Sequence, residues 1–121
     1  MYKLLWLLFC VAIISCKDEP PPQEEHIVGR WIGGTQELSV DITLTRNDKT
    51  ISGNGYVTLN GDTPKAATSN GSVLYPNVSL TIYITGYNPL AFNGTFNSSK
   101  VIVGTINGSG INNMQINLYR D

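Results

Sequence analysis

Leu38-Ser39-Val40-Asp41-Ile42-Thr43-Leu44-Thr45 alternates apolar and polar residues at every step. Successive side chains of an extended strand point to opposite faces, so this stretch has one face for a core and one for water. The period of two continues on both sides. Arg46-Asn47-Asp48-Lys49 reads as a turn. Beyond it Ile51, Gly53, Gly55, Val57 and Leu59 alternate with Ser52, Asn54, Tyr56 and Thr58 until Asn60-Gly61-Asp62-Thr63-Pro64 breaks the strand. Residues 65–75 read less clearly. Pro76-Asn77 then leads into Val78, Leu80, Ile82 and Ile84, ended by Gly86-Tyr87-Asn88-Pro89. Phe92, Gly94 and Phe96 are the next inward set, followed by Ile102, Gly104 and Ile106, then by Met114, Ile116 and Leu118 after the loop Gly108 to Asn113. With Val28 to Gly33 as the first strand the count is eight.

Eight short strands joined by hairpin-length loops predict an all-β chain, an eight-stranded antiparallel up-and-down barrel that removes both sheet edges, with a β-sandwich as the alternative. The inward set is almost wholly Leu, Ile, Val, Phe and Met. Such a lumen is packed solid or takes a small apolar guest, and packing is the expected state.

Upstream of the strands the sequence changes character. The apolar run Leu4 to Ile14 follows Lys3 and would extend about 16 Å as a helix, against a hydrocarbon core of about 30 Å, so it is too short to span. It ends in Ile13-Ile14-Ser15-Cys16, which resembles the lipobox of bacterial lipoproteins. The resemblance implies a signal peptide over 1–15, removed by cleavage, and an acylated Cys16 as the first residue of the mature chain. Cys10 leaves with the signal and Cys16 carries lipid, so no disulfide is expected. Residues 16–26 then form a tether: Lys17, Asp18, Glu19, three prolines, Gln23, Glu24 and Glu25 offer no core, and polyproline II at about 3.1 Å per residue makes them a stand-off of roughly 30 Å. Lys17-Asp18-Glu19 directly after the cysteine is similar to the lysine-plus-two-acids signal that sends Bacteroidetes-type lipoproteins to the outer cell surface. The implied localisation is the outer membrane, lipid-anchored and facing outward, and the implied partner is the membrane through the N-terminal lipid.

Residues 27–121 are left as one small domain. Its charge is close to neutral, since the whole chain carries only −1 and the tether holds four acids to one base. No basic stripe is present for phosphates, which excludes a nucleic-acid partner. Nothing in the spacing of His, Cys, Asp and Glu suggests a metal site, and no cofactor is implied.

Two residues at opposite ends of the domain share a parity that points inward. Trp31 follows Gly29-Arg30, and Arg120 continues the set Met114, Ile116 and Leu118 to the end of the last strand. A guanidinium over an indole is favourable by about 0.5–2 kcal/mol. This Gly-x-Trp on the first strand with a basic residue on the last resembles the calycin superfamily of lipocalins, fatty-acid-binding proteins and avidins, in which the pair closes one end of the barrel. Val28-Gly29-Arg30-Trp31 and Ile51-Ser52-Gly53-Asn54-Gly55-Tyr56 are most similar in rhythm to avidins. The polar ligand-binding residues of avidins do not carry over, because Ser52, Asn54 and Tyr56 have outward parity.

Catalysis finds little footing. His26 is the only histidine and reads as a solvated residue at the tether boundary. Glu37, Asp41 and Asp62 are the carboxylates available for a hydrolytic pair, but Asp41 is outward on a strand and the others lie in loops, so they read as solvating charges. The outward tyrosines Tyr56, Tyr83 and Tyr119 fall on the third, fifth and last strands, which are not neighbours, and no continuous aromatic platform is expected.

The expected function is therefore non-enzymatic: a lipid-anchored binding or interaction module for a protein, a glycan or a small apolar ligand. A calycin-type protease inhibitor and a purely structural envelope lipoprotein are the alternatives. Inhibitors of that barrel type use a free N-terminal segment, whereas here that segment is acidic and tethered. If the first strand starts at the plugged end, alternate loops gather at the other end. The candidate binding rim is then Gln36, Glu37, Asp62, Lys65, Tyr87, Asn88, Asn112 and Asn113, pointing away from the membrane.

Overall fold

The computed structural model describes residues 23–121. The expected signal peptide over 1–15, the expected lipidation site Cys16 and the expected export signal Lys17, Asp18 and Glu19 lie outside them. A short 3-10 helix, Gln23–Ile27, precedes eight strands: β1 Gly29–Gly34, β2 Leu38–Asn47, β3 Thr50–Leu59, β4 Lys65–Leu74, β5 Asn77–Ile84, β6 Leu90–Ser98, β7 Val101–Gly108 and β8 Ile111–Arg120. Every strand pairs antiparallel with its sequence neighbour, and β1 pairs with β8 through Trp31↔Arg120, Ile32↔Tyr119 and Gly33↔Leu118. This is a closed up-and-down barrel, consistent with a calycin-like fold and not a sandwich.

The alternation that runs through β2 is realised as burial. Leu38, Val40, Ile42 and Leu44 are all at most 2 % exposed, and the intervening residues face out. Inward residues of the other strands join them in one cluster that includes Trp31, Ile51, Val57, Val78, Ile82, Phe92, Ile102 and Leu118. The inward glycines do not hollow this core. A side chain at Gly94 or Gly104 would meet the Phe92 ring, at 2.7 and 2.9 Å, because that ring already occupies the space above both. A Cβ at Gly55 would collide with the Asp41 carbonyl and lie 2.7 Å from the Ile42 Cα, so this glycine lets β2 and β3 coil closely.

Of residues 65–75, Lys65–Leu74 form β4, whose pattern is hidden by small side chains. Its inward positions are Ala67, Ser69, Gly71 and Val73, so three of the four contribute almost nothing to a hydrophobic period. The register is nevertheless continuous, from Val57↔Lys65 to Thr50↔Ser72 on one side and from Ala67↔Ile84 to Leu74↔Asn77 on the other.

The end of the expected tether is also structured. Gln23–Ile27 is helical and closes the base of the barrel: Ile27 is fully buried, and Glu25 pairs with Arg46 at 3.6 Å. His26 is not a solvated boundary residue. Its ring packs edge-on against Tyr75 and Phe96, with centroids at 5.9 and 6.3 Å, and its Nδ1 is buried with no hydrogen-bond partner. The apolar Ile27 entering the base carries its neighbour in with it.

Asp41 is likewise more than a solvating charge. Arg30 Nε and Nη2 donate to its two oxygens at 2.9 and 2.8 Å, while Nη1 donates to Asp121 at 2.8 Å, so one guanidinium clasps β1, β2 and the C-terminus. Those hydrogen bonds hold the Asp41 carboxyl below its ordinary value of 3.8, against the opposing effect of burial and with further help from the Arg30 charge. A carboxyl lowered in the folded state stabilises it above the unfolded value and loses that contribution as pH falls through the folded value. Asp41→Asn is therefore expected to melt below the wild type at neutral pH, with the gap closing as pH falls through and below the carboxylate range. A gap that stays constant across a melting series from neutral to strongly acid pH would refute the assignment.

Candidate functional site

Two ends of the barrel differ in kind. At the base, Trp31 is fully buried and its Nε1 donates to the Ile27 carbonyl at 2.8 Å. The Arg120 guanidinium lies over the indole, 5.3 Å from its centroid, and donates to the carbonyls of Val28, at 2.6 Å, and His26. Phe96 meets the indole edge-on at 5.9 Å and stacks on Tyr75 at 4.9 Å. Aromatic rings, a capped helix end and a satisfied cation leave this end closed.

The opposite end carries an open groove of about 790 Å³. Its floor is apolar: Leu59, Ile111 and Met114, each partly buried against the core. Around them stand Glu37, Asn60, Asp62, Tyr87, Ser109 and Asn112. Four of the eight rim residues expected from loop parity, Glu37, Asp62, Tyr87 and Asn112, thus meet in one groove although they come from four different loops or strand ends.

The others stand beside it with different roles. Lys65 lies over the Tyr87 ring, with Nζ 5.9 Å from the centroid, and so braces the groove wall. The Asn88 carbonyl accepts from Ser109 Oγ at 2.8 Å. Asn113 is turned away from the groove, because its backbone N–H donates to Asn107 Oδ1 at 2.7 Å and its side chain accepts from Asn107 Nδ2. Gln36 is exposed on the β1–β2 loop and does not line the groove.

The loops are cross-braced through their backbones. Asn60 N–H donates to the Glu37 carbonyl at 2.9 Å, joining the first two rim loops, and the Ser109 bond joins the other two. Asn60-Gly61 and Ser109-Gly110 both take positive φ at two successive residues, 50° and 71°, then 51° and 86°. That is the mirror-image turn whose twist matches a hairpin, and Gly, and Asn to a lesser degree, enter it with little steric cost. These braces and turns hold the groove's shape without a ligand.

The rim holds two carboxylates, Glu37 and Asp62, against one lysine, Lys65. Neither Glu37 nor Asp62 takes part in an ion pair among the described residues, where the paired carboxylates are Glu25, Asp41 and Asp121. Asp62 Oδ1 accepts from the Thr63 N–H at 2.8 Å, which fixes its orientation. No group of three or more His, Cys, Asp or Glu gathers among the described residues to hold a metal.

No protein-family model matches this chain, and no curated protein matches it.

Proposed function

We propose that this protein is a lipid-anchored lipoprotein of the outer membrane, displayed at the cell surface, that acts without catalysis as an interaction module through its open rim. The observation that carries the reading is the preformed groove of about 790 Å³, with an apolar floor and two carboxylates outside any ion pair, at the end of the barrel opposite the helix where the tether joins. An apolar floor beside two carboxylates outside any ion pair suits a protein partner that inserts an apolar side chain beside a basic one. A filled core favours the rim over the lumen as the place where a ligand sits. The inhibitor reading, which needs a free N-terminal segment, loses further ground because Ile27 is buried in the barrel base and Glu25 pairs with Arg46.

The test is site-specific photocrosslinking on intact cells. A photoreactive residue at Tyr87 or Asn112 is expected to give a discrete crosslinked species, and the same residue at Asn47, the last residue of β2 at the base, is expected to give none. Glu37→Gln combined with Asp62→Asn should reduce the crosslink from position 112 while leaving the melting temperature unchanged. Crosslinks from position 47 alone would overturn the rim assignment.

A further inference from the structure

The outward positions of β3 to β8 carry Ser, Thr, Asn, Gln, Tyr, Ala, Val and Leu, with no charged residue among them. Surfaces of soluble domains ordinarily mix both signs of charge. On this neutral wall Tyr56 and Tyr83 are 56 % and 43 % exposed. They are not on neighbouring strands, yet they line one groove of about 450 Å³. The strand between them explains it: Tyr56 pairs with Ala66 and Tyr83 with Thr68, and the methyl of Ala66 leaves a trough where a larger side chain would fill the gap. Strands two apart are separated by about 10 Å, a span that a disaccharide covers.

We infer that this groove is a binding site for an uncharged oligosaccharide. Tyrosine rings present flat apolar faces to the C–H face of a sugar ring, and their hydroxyls stay available for hydrogen bonds. Asn54, Thr68 and Thr85 line the same groove with an amide and two hydroxyls. None of these side chains is spent on a hydrogen bond within the described chain. Asp41, the cross-strand neighbour of Tyr56, has both oxygens held by Arg30, so no free charge competes for water or for an ionic ligand. A second wall groove, which includes Ser79, Asn93, Thr105 and Gln115, is equally neutral but has no aromatic ring, and so lacks the stacking surfaces. The site is separate from the rim.

Native affinity electrophoresis of the full chain in detergent tests this, with hydroxyethylcellulose, xyloglucan, galactomannan or soluble starch cast into the gel and polygalacturonate as an acidic comparison. At least one neutral polysaccharide is expected to retard the wild type. Tyr56→Ala and Tyr83→Ala should each weaken that retardation about tenfold in apparent Kd. Tyr56→Phe should keep most of it, and Asn93→Ala in the second groove should keep all of it. The melting temperatures of the alanine variants are expected to match the wild type, as for other exposed side chains. Absence of retardation in every neutral gel, retardation by polygalacturonate alone, or equal retardation of the Tyr56→Ala, Tyr83→Ala double variant overturns the assignment. Rim variants should not alter the retardation, which keeps this result independent of the crosslinking one.

Discussion

Trp31→Ala is expected to cost about 3–5 kcal/mol of folding free energy, read as a lowered urea midpoint with an unchanged m-value. The indole has no exposed surface, and its loss leaves a cavity at the base of the barrel. The Ile27 carbonyl loses its 2.8 Å donor, and the Arg120 guanidinium loses the ring beneath it. A domain of this size is stable by only about 5–15 kcal/mol, so the variant should lose a large fraction of its stability. Trp31→Phe keeps much of the volume and removes the N–H, so its midpoint should fall between the two. Arg120→Met tests the other half of the contact. It leaves the His26 and Val28 carbonyls without their charged donor, with a smaller expected cost of about 1.5–3 kcal/mol because the arginine is partly exposed. The two substitutions should be non-additive in a double-mutant cycle, since they remove parts of one contact. Midpoints for Trp31→Ala within error of the wild type would show that the base is not held by this residue.

How far the sequence reveals the molecule depends on side-chain size. β2 and β5 are legible because Leu, Val and Ile mark every second position, and β8 because Met114, Ile116 and Leu118 do the same. β4 is not legible, because Ala67, Ser69 and Gly71 mark the inward face with almost no hydrophobic contrast. The helix Gln23–Ile27 escapes notice for a related reason: one buried residue, Ile27, anchors it, and a single apolar side chain carries no period. Strand parity alone assigns the loops to two ends, which is how Glu37, Asp62, Tyr87 and Asn112 are recognised as one group before any coordinates. It does not say which side chains turn inward on the rim, because Asn113 is diverted by Asn107 and Lys65 by Tyr87. Features that need register stay invisible. Arg30 reaches Asp41 only because Trp31 pairs with Ile42, and Tyr56 and Tyr83 share a groove only once β4 is placed between them.

Cys16→Ser is expected to move the protein almost completely from the membrane fraction to the soluble fraction. The residue lies outside the described structure, so the expectation rests on the apolar run Leu4 to Ile14 and on Ser15-Cys16 at its end. Each buried CH₂ of an acyl chain contributes about 0.8 kcal/mol, so one chain holds marginally and two or more hold firmly. Among the described residues nothing replaces that anchor, since the outward strand positions of β3 to β8 are dominated by Ser, Thr and Asn instead of the apolar band of a membrane barrel. Fractionation with labelled palmitate reads both steps at once: the variant should lose label and membrane association together, and a membrane-bound, unlabelled variant would sink the lipoprotein reading. Replacing Lys17, Asp18 and Glu19 with Ala separates the anchor from the address. That variant should remain labelled and membrane-bound but become protected from protease added outside intact cells. Equal cleavage of both forms would mean that the three residues do not direct export. The two outcomes bear on the rim as well, because a groove at the end of the barrel opposite the tether can meet an extracellular partner only if the anchor holds the domain on the outer face.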